Sequence, residues 1–568
     1  MWGTIAAAAD SELRATVVVI GSGAAGQSVA KRLSANGVDV LIVEAGPATE
    51  LHRKSQPLLQ AAMPAVHGQY PDFGAHMLMN LGGSIGKPQL SLSSDDSVPA
   101  TGIRLAKLED ADLADWPISR TDLDPYYDVV STWFGVDWEG HRTPEFGDPR
   151  LHAAPFHVAS RELFSNPTSD HLGEVRVVLE APVARLEHAP NGRITAAVVR
   201  LRNGMIRRVR GDSFVLAMNT MPATQLLLAS RAAMGSGTLG HYLMDHPLVT
   251  FGFIEPSESL PQAMLDQLTP QPTPTGLFWP KLITDQAAVR AGDAVNVALS
   301  LVPLDWGVKR NLTRHAALKP VVVGARSGAR QSLGRLTHGV RNRRFSTSMI
   351  RDVAQTARGI DELLHIKLRP SGPRFSLENG WWQREVDDQL PRTFEIAGMV
   401  EQRPKYANRV ELSDERNSLS WRKLRASWQY DQADKDAVDA AATPIMDALE
   451  DAGFGRLTRI PANRHTENYS CHHASGTIRM SSSGATGVVD QNLQAHEHPN
   501  LFVVGKSVFP SIGFANPTLT VMALGVRLGD YLASDEHARK VRATNLRRSP
   551  EPERDAPSAN QSNFEPMN

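Results

Sequence analysis

The sequence lacks the marks of several classes of protein. Its 568 residues include a single cysteine, Cys471, so no disulfide can form within the chain and no cysteine-based metal or cluster site is expected. It contains no run of about 18 apolar residues, so we predict no transmembrane segment. The net charge of −1 provides no global field that would attract nucleic acid or a membrane surface.

The first residues also lack a basic segment followed by an apolar run, so we predict no secretory signal and expect a cytoplasmic protein. The composition is that of an ordinary globular protein, with 41% hydrophobic and 21% charged residues. A chain of 568 residues is too long for one hydrophobic core, so two or more packed units are expected. Residues 538–568 are polar and rich in proline, which predicts a disordered tail.

One stretch departs from the neutral average. From Trp306 to Arg351 the sequence has eleven lysine or arginine residues and no aspartate or glutamate. Two interpretations are open for residues 306–351: a solvated helical face with loops, or a docking surface for a partner or an anionic surface.

Apolar periodicity predicts an α/β pattern at both ends of the chain and a mixed middle. Predicted strands are Ala15–Ile20, Val38–Val43, Glu174–Leu179, Val183–His188, Ile194–Leu201, Phe214–Ala217, Thr393–Gln402, Arg409–Leu412 and Leu501–Val504. Predicted helices are Ile118–Trp133, with Ser119 as its cap, Ala223–Ser230 and Pro517–Ala533.

The first motif with chemical meaning is the glycine-rich turn Gly21–Gly26, which lies between a predicted strand and a predicted helix. Gly21 permits a tight turn, Gly23 lets the backbone approach a pyrophosphate, and Gly26 lets helix and strand pack closely. The start of the helix offers free N–H groups to the phosphates. The turn therefore predicts a dinucleotide site, but it does not distinguish FAD from NAD.

An acidic residue supports the same interpretation. Glu44 follows the second predicted strand, 18 residues after Gly26, where a carboxylate can accept hydrogen bonds from ribose hydroxyls. A 2′-phosphate would be repelled at this position, so Glu44 argues against NADP.

Three segments near the end of the chain carry a second signature: His473–Met480, Asn500–Gly505 and Val508–Thr520. Here the sequence resembles the glucose–methanol–choline (GMC) oxidoreductases. The H-x-x-G-T-x-R-M and A-N-P-T-L-T elements are most similar to the branch that holds pyranose oxidases and gluconate-type dehydrogenases. The segments that agree with that branch are Leu81–Ser84, Trp116–Asp128, Gly240–Pro247 and Arg409–Ser413.

The resemblance extends from about Ala15 to Leu532 and implies a fold. We expect an α/β protein with a Rossmann-like FAD-binding domain of GMC type and an α+β substrate-binding domain built on a mostly antiparallel sheet. The implied limits are 13–250 for the first part of the FAD-binding domain, which includes loop and substrate-domain insertions, 251–464 for the substrate-binding domain, and 465–537 for the last part of the FAD-binding domain.

The resemblance also implies catalytic residues. The family's active-site histidine falls on His473, near the substrate carbinol and the flavin ring. Imidazole titrates near neutral pH when unperturbed, so it can take the hydroxyl proton as a hydride leaves for flavin N5. The family's second position falls on Asn516, whose amide can orient the hydroxyl, although it also lies where a helix cap would lie. We expect structural roles for His472 and Cys471.

Residues around the flavin follow from the glycine motif and from the resemblance together. Pro517 and Thr518 begin the last predicted helix, whose N-terminal dipole would face the N1–C2=O edge of the flavin. The segment Gly82–Pro88 contains neither histidine nor cysteine, so we expect non-covalent FAD. No metal is expected. The predicted cofactor-binding residues are Gly21, Gly23, Ala24, Ala25, Gly26, Glu44, Gly82, Gly83, Ser84, Val183, Gly505, Pro517 and Thr518.

The leading hypothesis for the function is an FAD-dependent oxidoreductase that converts a primary or secondary hydroxyl of a sugar, cyclitol or glycoside to a carbonyl. Its partners would be a small-molecule alcohol or sugar and an electron acceptor, either oxygen or another acceptor. The alternatives are oxidation of a non-sugar alcohol, a GMC-type flavoprotein without net redox chemistry such as a lyase, and an NAD-linked dehydrogenase. The histidine motif near the end of the chain argues against the last of these.

Overall fold

The computed structural model describes part of the chain. The described residues are 2–4, 13–48, 66–68, 102–141, 143–160, 172–201, 204–235, 237–257, 260, 267–268, 270–303, 333, 336, 348–358, 394–417, 420–461 and 473–534. Several predictions lie outside them. These concern Cys471, His472, Gly82, Gly83, Ser84, most of the basic stretch 306–351 and the tail.

The strands of the described part, in chain order, are β1 (Trp2–Thr4), β2 (Arg14–Ile20), β3 (Val40–Val43), β4 (Val66–Gly68), β5 (Gly102–Leu105), β6 (His152–Ala154), β7 (His157–Ser160), β8 (Arg176–Leu179), β9 (Val183–His188), β10 (Ile194–Arg200), β11 (Ile206–Leu216), β12 (Leu248–Pro256), β13 (Gln271–Thr273), β14 (Gly276–Phe278), β15 (Lys281–Ile283), β16 (Val297–Pro303), β17 (Phe394–Val400), β18 (Arg409–Arg416), β19 (Arg422–Ser427), β20 (Gly455–Arg459) and β21 (Leu501–Val503). The helices are α1 (Ala24–Ala35), α2 (Arg120–Phe134), α3 (Thr220–Ser230), α4 (Gln286–Ala291), α5 (Ser348–Arg358), α6 (Gln432–Asp451) and α7 (Thr518–Ala533), and a 3₁₀ turn spans Lys506–Val508.

The first large sheet lies in the predicted FAD-binding domain. Its strands follow the order β1-β8-β3-β2-β11-β10-β9, and β21 pairs with β11. Six strands run parallel to one another: β1, β8, β3, β2, β11 and β21. Beyond β11, strands β10 and β9 continue the sheet in antiparallel pairing. The segment Val17–Ile20 of β2 and all of β3 are buried, as expected for apolar, β-branched strands covered on both faces. This arrangement confirms the predicted Rossmann-like unit.

Two helices from opposite ends of the chain pack together on this sheet. Helix α1 follows the glycine-rich turn, and α7 follows the C-terminal motif. Their contact is close because a Cβ atom on Gly525 of α7 would lie 2.9 Å from the Cβ of Ser28 and 3.1 Å from the carbonyl oxygen of Ala25. The guanidinium of Arg32 donates two hydrogen bonds to the carboxylate of Asp530 at the same interface.

The second large sheet is antiparallel throughout, in the order β20-β12-β17-β16-β15-β6. Helix α6 packs against it, and the two share a core separate from that of the first sheet. This confirms the predicted mostly antiparallel substrate-binding domain. The strand β6 at residues 152–154 joins this sheet from early in the chain, and the exact domain limits stay predictions. Smaller sheets contain β13-β14-β7-β5 and β18-β19-β4.

The predicted helix near residue 118 begins at Arg120, and its capping residue is the predicted Ser119. The Ser119 side chain accepts from the Asp122 amide while the Asp122 carboxylate accepts from the Ser119 amide. Helix α6 was not predicted, although Asp431 and Asp434 form the same kind of capping box at its start. Among the described helices, none is long and apolar enough to cross a membrane.

The close contact between α1 and α7 predicts the effect of filling Gly525. Gly525→Val should lower the free energy of unfolding by about 1–3 kcal/mol, because an added side chain has no room against Ser28 and forces the helices apart. Thermal and denaturant unfolding of the purified protein would measure the change. Gly147→Val is the matched control, since no atom lies within 4 Å of a Cβ built there. Equal stability of both variants would contradict the packing described.

Candidate active site

A crevice forms where several parallel strands of the first sheet end side by side. Ile20 of β2 pairs with Val43 of β3 and with Leu216 of β11, which in turn pairs with Val503 of β21. The residues that follow these strand ends carry the predicted cofactor motifs. In open α/β sheets, ligands bind in the crevice outside the carboxyl ends of the strands. The fold therefore brings the two distant motifs to one place.

The glycine-rich turn has the geometry that its sequence predicts. Gly21 has a φ of +103°, and a Cβ on it would lie 2.7 Å from the carbonyl oxygen of Ala217. A Cβ on Gly26 would lie 2.0 Å from the carbonyl oxygen of Gly21. Gly23, the N-cap of α1, has no atom within 4 Å of a Cβ built on it. Gly21 and Gly26 are required by packing, and Gly23 leaves space for a ligand at the helix N-terminus.

Glu44 lies directly after β3 and is buried. One carboxylate oxygen accepts from the Ser22 amide at 3.0 Å and from the Ser22 hydroxyl at 2.7 Å, and the other accepts from the Gly46 amide at 2.8 Å. Burial raises the pKa of the carboxyl, against the effect of these hydrogen bonds. The side chain is thus held in one orientation at the edge of the crevice.

Buried polar atoms around the crevice test whether the site fits a flavin nucleotide. The side-chain oxygens of Asn219, Ser507 and Asn516 are buried and have no hydrogen-bond partner among the described residues. Each follows or precedes an element of the crevice: Asn219 is the N-cap of α3 after β11, Ser507 follows β21, and Asn516 precedes α7. A buried polar atom without a partner costs about 1–3 kcal/mol, so these positions call for a polar ligand. They fit the polar ring system and ribityl chain of FAD.

The remaining predicted cofactor residues lie at element ends. Ala24 and Ala25 are the first residues of α1, Thr518 is the first residue of α7, and Pro517 is its N-cap. Gly505 follows β21, and Val183 begins β9. In the described part of the chain, no group of three histidine, cysteine, aspartate or glutamate side chains could hold a metal ion.

His473 is held in an extended segment that pairs with the segment containing Met244. Met244 and Ser475 exchange two main-chain hydrogen bonds, of 3.1 and 2.9 Å. The amide of His473 donates to Oδ1 of Asp245 at 2.8 Å, and the amide of His246 donates to the same oxygen at 2.7 Å. The buried Asp245 carboxylate therefore fixes the backbone on which both imidazoles are mounted.

The imidazole of His246 connects His473 to the loop that carries Asn516. Nδ1 of His246 lies 2.9 Å from Nδ1 of His473, and the two rings are nearly perpendicular, at 88°. Nε2 of His246 lies 2.9 Å from the carbonyl oxygen of Gly513. Burial lowers the pKa of His246 to about 4, so this imidazole is uncharged near neutral pH. The sequence motif contained His246, but no role had been predicted for it.

The loop Pro510–Asn516 is fixed from several sides. The Arg479 guanidinium donates to the Pro510 carbonyl at 2.6 Å, and the Trp116 indole donates to the Ser511 hydroxyl at 2.9 Å. The amide of Gly513 donates to Oε1 of Glu401 at 3.1 Å. Asn516 is itself buried and directly precedes the N-cap of α7. A rigid loop is what a residue that must orient a substrate requires.

Two buried carboxyl groups lie behind this loop. Asn296 donates from Nδ2 to Oδ1 of Asp112 at 2.8 Å and to Oε2 of Glu401 at 2.9 Å. Burial, and then the charge of Glu401, raise the pKa of Asp112 well above its usual range, and burial also raises the pKa of Glu401. The three residues come from distant parts of the chain, and no local pattern in the sequence marks them as a group.

Comparisons with known proteins agree with this architecture. The family profile described as "FAD binding domain" matches residues 16–242, and the profile described as "GMC oxidoreductase" matches residues 404–525. Paromamine 6'-oxidase of Streptomyces fradiae is 26% identical over 566 residues, which cover 91% of each chain. 6'''-Hydroxyparomomycin C oxidase of Streptomyces lividus is 28% identical over 287 residues, which cover 40% of this chain and 52% of the relative.

The fold is also similar to a solved structure, that of pyridoxine 4-oxidase from Mesorbium loti. The TM-score is 0.51 at 16% sequence identity, and the match covers 91% of this chain and 98% of the other. Together the two profiles cover the strands whose ends form the crevice, β2, β3 and β11 in the first and β21 in the second. Residues 404–525 therefore match the GMC oxidoreductase family, residues 16–242 match an FAD-binding domain, and the chain is an FAD-dependent enzyme that oxidises the CH–OH group of an alcohol.

Proposed function

We propose that this enzyme oxidises a primary or secondary hydroxyl group of a sugar, cyclitol or glycoside, with His473 as the base. The observation that carries the chemistry is the connection of the His473 segment, through His246, to the loop of Asn516. The substrate class is supported by the alignment with paromamine 6'-oxidase over 91% of both chains. Membership of the pyranose oxidase and gluconate dehydrogenase branch is part of the same proposal.

The protein's contribution to the reaction follows from these residues. When bound, FAD would accept the hydride, one proton with two electrons, that leaves the carbinol carbon. His473 takes the hydroxyl proton while the carbinol C–H bond breaks. The amide of Asn516 cannot act as a base, but its buried oxygen, without a partner among the described residues, can hold a polar group of the substrate.

The same proposal assigns the contacts with the cofactor. The turn Gly21–Gly26 and the N-terminus of α1 hold the pyrophosphate, and Glu44 accepts from the ribose hydroxyls. The N-terminus of α7, at Pro517 and Thr518, would hold the edge of the flavin on which negative charge accumulates on reduction. Gly82, Gly83 and Ser84 lie outside the described residues and stay predicted flavin-binding residues by analogy with the family.

Other functions within the family differ in outcomes that can be measured. The enzyme is mixed anaerobically with five compounds: D-glucose, myo-inositol, paromamine, pyridoxine and benzyl alcohol. At least one of the first three, which carry sugar or cyclitol hydroxyl groups, should bleach the flavin. Bleaching by the last two alone would favour oxidation of a non-sugar alcohol, and no bleaching by any alcohol would favour a lyase. Recovery of the colour in air identifies oxygen as the electron acceptor.

A cytoplasmic location and a docking role for residues 306–351 stay proposals.

The absence of histidine and cysteine from Gly82–Pro88 predicts a dissociable cofactor. Precipitation of the purified protein with acid should release all of the yellow colour into the supernatant. Colour that stays with the pellet would indicate a covalent link.

Replacement of Glu44 should weaken FAD binding and leave the chemistry of the bound flavin unchanged. Hydrogen bonds to a charged group contribute roughly 1.5–3 kcal/mol, so Glu44→Ala should raise the dissociation constant of FAD about 10- to 100-fold. Fluorescence titration of the apoprotein with FAD measures this constant. The control is Glu174→Ala, which removes an exposed carboxylate near the start of β8. Wild-type affinity in the Glu44 variant would contradict its assignment.

Replacement of His473 should slow flavin reduction without loss of the flavin. A general base contributes about 10²–10⁴-fold, so His473→Ala should lower the rate of reduction by that factor in anaerobic stopped-flow experiments. The flavin spectrum should stay near that of the wild type. Asn516→Ala should have a smaller effect, because it misplaces the hydroxyl and keeps the base.

Two other histidines serve as controls for this prediction. His496 is exposed in the same part of the chain, and His496→Ala should leave the rate unchanged. His472→Ala should cost much less than His473→Ala. If His472→Ala abolished reduction while His473→Ala did not, the base would be His472 and the assignment of His473 would be wrong.

A further inference from the structure

We propose that His246 is a positioning residue for the catalytic base, because its hydrogen bonds to Gly513 and His473 fix the tautomer of His473 in which Nε2 can accept a proton. The inference rests on the proposed role of His473. It concerns a residue that neither the sequence motif nor the comparisons connect with the chemistry.

The first step concerns the hydrogen bond between His246 and Gly513. A carbonyl oxygen can only accept a hydrogen bond, so Nε2 of His246, 2.9 Å from the Gly513 oxygen, must carry a hydrogen. The imidazole of His246 is buried and uncharged, so it holds only one N–H group. Nδ1 of His246 therefore carries a lone pair and accepts.

The second step concerns the hydrogen bond between His246 and His473. Nδ1 of His473 lies 2.9 Å from Nδ1 of His246, and two nitrogens at this distance need a hydrogen between them. Because Nδ1 of His246 is the acceptor, Nδ1 of His473 is the donor. A neutral His473 then has its lone pair on Nε2. When Nε2 takes the hydroxyl proton, the hydrogen bond between the two Nδ1 atoms is unchanged, so no rearrangement accompanies the transfer.

Several charged or polar groups face His246, and they determine whether it stays neutral. Asp245 on its own segment favours the charged form, as do the carbonyls of Ile512 and Gly513, whereas Lys506 on the 3₁₀ turn disfavours it. Burial outweighs all of them. A charged His246 would donate from both nitrogens, force Nδ1 of His473 to accept, and place the hydrogen of His473 on Nε2, where it blocks proton transfer.

Two substitutions of His246 separate positioning from packing. The side-chain oxygen of asparagine can take the place of Nδ1, so His246→Asn keeps an acceptor for His473 and loses the bond to Gly513. The amide of glutamine reaches the place of Nε2, so His246→Gln keeps a donor for Gly513 and loses the acceptor. Glutamine is also closer to histidine in volume. A packing role favours glutamine, whereas tautomer control favours asparagine.

The experiment measures anaerobic flavin reduction by paromamine and by D-glucose in both variants, in the wild type and in His473→Ala. We expect His246→Gln to lower the limiting rate of reduction about 10- to 100-fold, with little change in substrate dissociation constant or FAD content. His246→Asn should reduce much faster than His246→Gln. Equal rates in the two variants, or the faster rate in His246→Gln, would overturn the proposal.

The pH profile of flavin reduction provides a second test that requires no substitution of His246. Because burial lowers the pKa of His246 to about 4, the base is the only one of the two imidazoles that should titrate between pH 5 and 8. The profile is measured in the wild type and in Glu401→Gln, because burial raises the pKa of Asp112 and of Glu401 behind the loop. The logarithm of the reduction rate should fall with a slope of one or less, and a slope approaching two in both proteins would contradict a neutral His246. If His473→Ala reduces at the wild-type rate, the proposed base is wrong. If His473→Ala is slow but both His246 variants reduce at the wild-type rate, the inference on His246 is wrong and the proposed base is not affected.

Discussion

The active site depends on the conformation of Gly513. Its φ of +57° is left-handed, and a Cβ on it would lie 2.5 Å from Cγ of Asp112, so no other residue fits there without displacement. The carbonyl of Gly513 faces His246, and its amide faces Glu401. Because Asn516 lies three residues further on, this turn determines where Asn516 and the start of α7 lie relative to His473.

The carboxyl groups behind Gly513 explain how such a turn is supported without exposure to water. Asp112 and Glu401 share the Asn296 amide, and burial raises the pKa of both carboxyl groups. Two buried like charges are costly, and protonation of one of them removes most of that cost. Burial of both groups, and the charge of Glu401 beside Asp112, therefore favour the protonated form of Asp112 more than in a free carboxylic acid.

The sequence predicted the parts of the site that are local. The strand Arg14–Ile20 and the helix Thr518–Ala533 lie within one residue of the predicted limits, because apolar runs, glycines and a proline mark them. His473 and Asn516 were found through motifs of a few residues. Helix α6 was missed: Pro444 lies inside it, and its apolar residues are mostly alanine, which shows a weak periodic pattern.

The contacts that organise the site could not be predicted in this way. His246 and Gly513 are separated by 267 positions, and Asn296 and Asp112 by 184. Only the folded sheets bring these residues together, so no periodicity or spacing in the sequence records their contact. The aspartate and histidine before Pro247 could have signalled a role, because a buried polar pair next to a proline requires partners.

The direction of the hydrogen bonds gives this set of contacts its chemical meaning. Three hydrogen bonds are donated in the same direction, away from the catalytic base. His473 donates to His246, His246 donates to the Gly513 carbonyl, and the Gly513 amide donates to Glu401. Hydrogen bonds aligned in one direction strengthen one another in a medium of low dielectric constant. A positive charge that forms on His473 is stabilised by such a chain, since every dipole presents its negative end to it. The neutral histidine therefore supports proton uptake without placing a second full charge beside the flavin site.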